Sequence, residues 1–158
     1  ILTLSLLKGF FGRISDDPVS YVNAPKLADE HGIVVTETAT TTSHHYVNLI
    51  SVRGGEHNLS GTLVGLEGEA RLVSVDDHRV DVPPANQMLV VRNDDRPGMI
   101  GRVGTIVGEA GVNIADMDVG RAANGDTAMM VLATSEAVPA DVREALRAVD
   151  GILSVDTL

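Results

Sequence analysis

The stretch "NDDRPGMIGRVGTIVGEAGVNI", Asn93 to Ile114, carries five glycines in an apolar run. A dinucleotide fingerprint needs G-x-G-x-x-G, and a P-loop needs G-x-x-x-x-G-K-[ST]. Here Gly98, Gly101 and Gly104 give G-x-x-G-x-x-G, without the tight double glycine and without the P-loop lysine. The spacing instead predicts a helix from about Pro97 to Ala110, capped by Gly111. At about 100° per residue, Met99, Val103, Ile106 and Ala110 form one apolar stripe, flanked by Ile100 and Val107. Gly101, Gly104 and Gly108 form an adjacent arc; Arg102, Thr105 and Glu109 take the rest. A helical glycine costs about 1 kcal/mol relative to alanine. Three on one arc therefore predict that another element packs closely there, or that a ligand does.

Around this helix the pattern is regular. "MLVVRN" reads as a strand before it. "NIADMDVGR" alternates after it, with Ala115, Met117 and Val119 expected on one face. "ANGD" is an Asn-Gly hairpin turn, and "TAMMVLAT" is the returning strand. "PADVREALRAV" is a helix with Pro139 at its start and Gly151 beyond its end. Val142, Ala145, Leu146 and Val149 are its expected buried stripe. "ILSVDTL" is a last strand. The order β-α-β-β-α-β is the split βαβ, or ferredoxin-like, unit.

Upstream, "VPPANQ" (Val82 to Gln87) ends a strand with two prolines and reads as a linker. It sets expected domains of 1–84 and 85–158. The first is mixed α/β, so the chain as a whole is α+β. "ILTLSLLKGFFGRI" has helical spacing in Leu2, Leu6, Phe10 and in Leu7, Phe11, Ile14. It is too short and too interrupted to span a bilayer, and it lacks a signal-peptide pattern. "PVSYVNA" reads as a short strand. "PKLADEHG" is a short helix with Pro25 in its first turn and Gly32 at its end. "IVVTETATT" and "HHYVNLISVRG" read as strands, as do "NLSGTLVG", "ARLVSV" and "RVDV", the last two joined by a turn at Asp76-Asp77.

Composition narrows the function. The 158 residues carry a net charge of −10, which argues against nucleic acid and anionic membranes as partners. The absence of cysteine excludes disulfides and thiolate chemistry and favours a reducing, cytoplasmic setting. Two Phe, two Tyr and no Trp mean an aliphatic core. The chain begins with Ile inside a helical pattern, as a C-terminal fragment would.

The chemistry lies at the ends of the glycine-rich helix. First-turn N–H groups at Gly98, Met99 and Ile100, with the helix dipole, suit a small carboxylate. Asp95 can accept hydrogen bonds from an ammonium, and Asn113 offers an amide beyond the far end. Such a set makes an amino-acid site; alternatively, Asp95 is only an N-cap. No nucleophile motif surrounds Ser60 or Ser74. His44-His45 would point to opposite faces of a strand and make a poor metal pair. Asp116 and Asp118 read as a solvated face, and "EGE" lacks calcium-loop spacing. No catalytic residue, metal site or cofactor site is expected.

"DRPG" at Asp95–Gly98, the apolar helix, and Gly111-Val112-Asn113-Ile114 resemble the ACT domain, a ferredoxin-like small-molecule sensor. "LLKGFF", "YVNAPKLADEHGI", "SGTLVG" and "RLVSVDDHRVDV" resemble the intervening domain of long-form bacterial D-3-phosphoglycerate dehydrogenases. The resemblance implies a parent that uses NAD in the first step of serine synthesis, while the NAD-binding and catalytic motifs have no counterpart here. It implies an L-serine effector site on Asn93, Asp95, the backbone of Gly98, Met99 and Ile100, and Asn113 from a partner chain. Asn93 departs from the His or Tyr usual in serine-binding members. The resemblance also implies a homo-oligomer through edge-to-edge ACT sheets, and a possible anion site at Arg71, His78 and Arg79, with Pro83 where a further basic residue stands in relatives. A purely structural assembly module, or a freestanding amino-acid-binding subunit acting in trans, are the competing readings.

Overall fold

The computed structural model describes residues 1–41, 46–122 and 125–158. His44, His45 and, in the expected Asn-Gly turn, Ala123 and Asn124 lie outside the described residues. The chain forms two compact units, Ile1–Thr42 and Ser43–Leu158.

The first unit is a helical pair, α1 (Leu2–Ile14) and α2 (Ala24–Glu30). Leu7 and Phe11 pack on Ala24 and Ala28, with Val19, Leu27 and Ile33 at the margin. Small alanines on α2 let α1 approach closely enough to bury Phe11 completely. The other α1 row is open, with Leu2 58% and Phe10 52% exposed. "PVSYVNA" is not a strand. The Asn23 side chain accepts from the Ser20 N–H at 2.6 Å and donates to the Pro18 carbonyl at 3.0 Å, closing a turn that leads into α2. Such local side-chain bonds compete with extended structure. "IVVTETATT" is not a strand either. Its β-branched residues form no ladder among the described residues, and a strand without a partner is not stable.

The second unit has two antiparallel sheets. β1 (Ile50–Gly54), β2 (His57–Val64), β3 (Glu69–Val75) and β4 (His78–Val82) form a meander in that order. Among the described residues of "HHYVNLISVRG", the strand begins at Ile50. Asp76 and Asp77 adopt φ of 43° and 61°, the left-handed pair of a tight hairpin. The turn is clamped: Asp76 accepts from the Asn58 N–H at 2.8 Å and contacts His57 Nδ1 at 2.9 Å. This contact raises the His57 pKa above 6.5. Burial works to raise Asp76, but the bonds from His57 and Asn58 outweigh it and leave it lowered. A group with a raised folded pKa stabilises below its unfolded value and loses that contribution as pH rises through the folded one. Asp76→Asn keeps a residue that tolerates the left-handed turn and removes the charge. His57, followed by NMR titration, should then fall back toward 6.5.

The second sheet contains β5 (Met88–Asp94), β6 (Ile114–Arg121), β7 (Thr127–Thr134) and β8 (Ile152–Thr157), in the order β6-β7-β5-β8. With α3 (Met99–Glu109) and α4 (Ala140–Arg147) it is the expected ferredoxin-like unit. One face packs on the helices through Leu89, Val91, Met130, Leu132 and Val155 against Met99, Val103, Val107 and Leu146. The other is covered by the meander, where Val75, Val80 and Val82 meet Met88, Val90, Met129 and Val131. The unit is therefore three layers deep. This explains why β5 and β7 are apolar nearly throughout rather than alternating.

Three finer expectations fail for identifiable reasons. A register shift between Ile114 and Asp116 leaves Ala115 exposed, so Ile114, Met117 and Val119 face the helices. Ala145 is exposed, because α4 buries only Val142 and Leu146 fully. Asp116 and Asp118 are half-buried rather than solvated, since β4 crosses over them. The Asp81 N–H donates to the Asp118 carboxylate at 2.7 Å.

Candidate functional site

The first candidate residue, Asn93, lies at the end of β5. By strand alternation it points to the same side as Leu89 and Val91, under α3. It is 1% exposed. Its Nδ2 donates to the Asp94 carbonyl at 2.6 Å, which fixes the amide orientation. Its Oδ1 then has no partner among the described residues. A buried acceptor left unsatisfied costs about 1–3 kcal/mol, so this oxygen is poised for a donor.

The chain next turns through Asp94 to Gly98. The Asp94 N–H donates to the Gly151 carbonyl at 2.8 Å and the Asp95 N–H to the Asp126 carbonyl at 3.4 Å. Arg96 donates to the Asp150 carboxylate at 2.6 Å and to its carbonyl at 2.5 Å. The pairing raises Arg96 and lowers Asp150, in each case chiefly through that hydrogen bond. The loop is thus latched to the turn between α4 and β8.

The helix begins at Met99 and not at Pro97. Gly98 is its N-cap at φ 90°, a left-handed value that glycine tolerates and that interrupts helical geometry. Among the described residues, no side chain caps this end. The first-turn N–H groups without intrahelical acceptors are those of Met99, Ile100 and Gly101. Asp95 is therefore not a cap. Its carboxylate lies 2.9 Å from Arg121 Nε at the end of β6.

Asn113 lies past the other end of α3. Its backbone pairs with Ser135 and the residue is exposed. Eleven helical residues span about 16 Å, so it does not meet Asp95 within one chain. Asn93, Asp95 and the Gly98–Ile100 backbone lie on one strand-to-helix connection, and Asn113 lies beyond the other end of α3.

The glycine arc does not pack as expected. A Cβ on Gly101, Gly104 or Gly108 would meet nothing within 4 Å. On one flank of α3, Gly98, Gly101, Arg102, Thr105 and Ile106 line an open groove of about 430 Å³ beside Val149. On the other flank Ile100, 49% exposed, stands beside Gly104 and Gly108. Gly104→Ala should stabilise the isolated chain by about 1 kcal/mol in chemical denaturation, the helix-propensity gain with no steric cost.

The three candidate anion-site residues do not converge. His78 is 5% exposed, with Nδ1 at 2.8 Å from the Asp76 carbonyl and Nε2 at 3.4 Å from the Thr127 hydroxyl. Arg79 follows it on the opposite face of β4. Arg71 lies 3.8 Å from Glu69 and 3.9 Å from Asp81.

Sequence reasoning missed Arg96 and Arg121 at this site. Arg121 has no local signature. Only the register, with Arg121 opposite Ala128 and Asp94 opposite Thr127, carries it across the start of β7 to Asp95.

Residues 87–151, within the βαββαβ frame that carries Asn93, Asp95 and the uncapped helix N-terminus, match the family model of the ACT domain. Residues 1–76 match that of the D-3-phosphoglycerate dehydrogenase intervening domain. Together the two models cover most of the chain, which is similar to the regulatory, intervening-plus-ACT part of D-3-phosphoglycerate dehydrogenases. It is 36% identical to the D-3-phosphoglycerate dehydrogenase of Mycobacterium leprae over 92% of its length. It is 34% identical to those of Synechocystis sp. over 99% and Bacillus subtilis over 98%. It spans about 29% to 30% of the length of these relatives. Among the described residues, no helix is long and apolar enough to cross a membrane.

Proposed function

We propose that this chain is the effector-sensing part of an NAD-dependent D-3-phosphoglycerate dehydrogenase, with 1–84 as intervening domain and 85–158 as ACT domain. It binds L-serine, or a closely similar amino acid, between two copies. The observation that carries this reading is the buried, unpartnered Oδ1 of Asn93 beside an uncapped helix N-terminus. The helix N-terminus takes the ligand carboxylate. Asp95 takes the ammonium, and Asn93 Oδ1 accepts from the ammonium or the side-chain hydroxyl.

The second copy is required by Asn113. β6 has a neighbour only on its β7 side among the described residues, so its other edge is open. Two β6 edges paired antiparallel about Met117 would set the partner subunit's Asn113 opposite Arg121, next to Asp95. The same pairing would bring the Ile100–Gly104–Gly108 flanks of two α3 helices together, where glycines permit close backbone approach. Effector binding would then shift the population of one joined arrangement over another.

Calorimetric titration with L-serine tests the reading, with the oligomeric state followed by sedimentation. Saturable heat at millimolar serine or below, from a dimer, is expected. No heat with the dimer intact would leave an assembly module. The Gly104→Ala variant separates the two roles of the arc: it should stabilise the monomer while weakening the dimer.

A further inference from the structure

We propose that Arg121 is a built-in competitor of the effector: it occupies the ammonium position on Asp95, and an amino acid binds by exchanging its own ammonium for the guanidinium. This rests on the amino-acid-sensing reading above and adds a residue that sets its affinity and selectivity.

Arg121 ends β6 on the far side of β7 from Asp95, yet its Nε lies 2.9 Å from Asp95 Oδ2. Two features bring them together. The start of β7 is flanked by Asp94 through Thr127 on one side and by Arg121 through Ala128 on the other. The Asp95 N–H is tied to the Asp126 carbonyl, which holds the loop over this strand end.

The two side chains are unequal. The Asp95 side chain is 26% exposed and that of Arg121 73%. The carboxylate is the fixed, partly sheltered member and the guanidinium the solvated, displaceable one. Among the described residues the Asp95 carboxylate has no hydrogen bond or ion partner besides Arg121, so whatever cation it holds is decided by competition. A zwitterionic amino acid brings one ammonium for the one guanidinium that leaves, and charge at the carboxylate is conserved. A hydroxy acid of the same shape brings no cation, so it leaves the pair in place and gains nothing from Asp95. Arg121 thereby makes the site demand an ammonium and lowers affinity for every ligand that carries one. It also lies on the open β6 edge, so its release changes the charge presented to a second copy.

An exposed ion pair is weak, and its removal changes the competing equilibrium by about three- to fivefold. In titration of the 158-residue chain at low salt, Arg121→Gln should bind L-serine about three- to fivefold more tightly than the wild type. At about 1 M salt, where the Debye length is about 3 Å, the two affinities should converge. Arg121→Lys keeps a cation there and should stay within about twofold of the wild type. Thermal unfolding of each variant monitors the fold.

Unchanged or weaker binding by Arg121→Gln would overturn the proposal, the latter by making Arg121 a ligand group. So would an equal gain in Arg121→Lys, or a gain undiminished at high salt. If neither wild type nor Arg121→Gln binds serine at millimolar concentration, the sensing reading falls and this proposal with it. If the wild type binds and Arg121→Gln matches it, only the proposal falls.

Discussion

Gly120→Ala is expected to destabilise the second unit by about 3 kcal/mol, the upper part of the range for overpacking a filled interior. Gly120 is buried on β6 exactly where the meander crosses it. A Cβ there would run into the Arg79 carbonyl oxygen and lie 3.0 Å from both the Arg79 carbonyl carbon and Val80 Cγ1. The obstacle is backbone, so no rotamer change relieves it. β4 must lift from β6, and with it Val80 and Val82 leave the core they share with Val90 and Val131. Chemical denaturation read by far-UV circular dichroism measures the loss directly. Gly104→Ala is the control, since the same added methyl meets nothing there. Equal stabilities for Gly120→Ala and the wild type would mean that the two sheets do not pack at this crossing.

Asp95→Asn is expected to weaken L-serine binding by about 10- to 100-fold, the range for losing one charge-assisted hydrogen bond. The substitution keeps shape and removes only the negative charge proposed to hold the ammonium. It also breaks the exposed pair with Arg121, which contributes little to folding. Stability should therefore change by less than about 1 kcal/mol while affinity collapses. That separation is what a binding carboxylate produces and a structural one does not. Calorimetry for affinity and denaturation for stability, on the same sample, check it. Retained affinity in Asp95→Asn would remove Asp95 from the ammonium position.

Much of the ACT unit was legible in the residues. "MLVVRN", the apolar stripe of α3 and the Pro139 start of α4 each state one local preference, and all agree with β-α-β-β-α-β. The first 42 residues were less legible. "PVSYVNA" and "IVVTETATT" have strand-like composition, but an Asn23 side chain closes one into a turn and the other finds no ladder. Strand propensity becomes a strand only when a partner supplies hydrogen bonds.

The candidate site divides in the same way. Asp95, the helix N-terminus and Asn113 are readable from sequence because a turn, a helix start and a helix end have local chemistry. That Asn93 is buried with an unsatisfied oxygen depended on which face of β5 the helices cover. That Arg121 reaches Asp95 depended on the register of three strands, a sum of pairings distant in the chain. The glycines of α3 are the clearest case. By itself the sequence determined that they share one arc of a helix, because helical periodicity is local. Only the tertiary structure decided that the arc is open, because what a helix face meets is set by the layers packed around it.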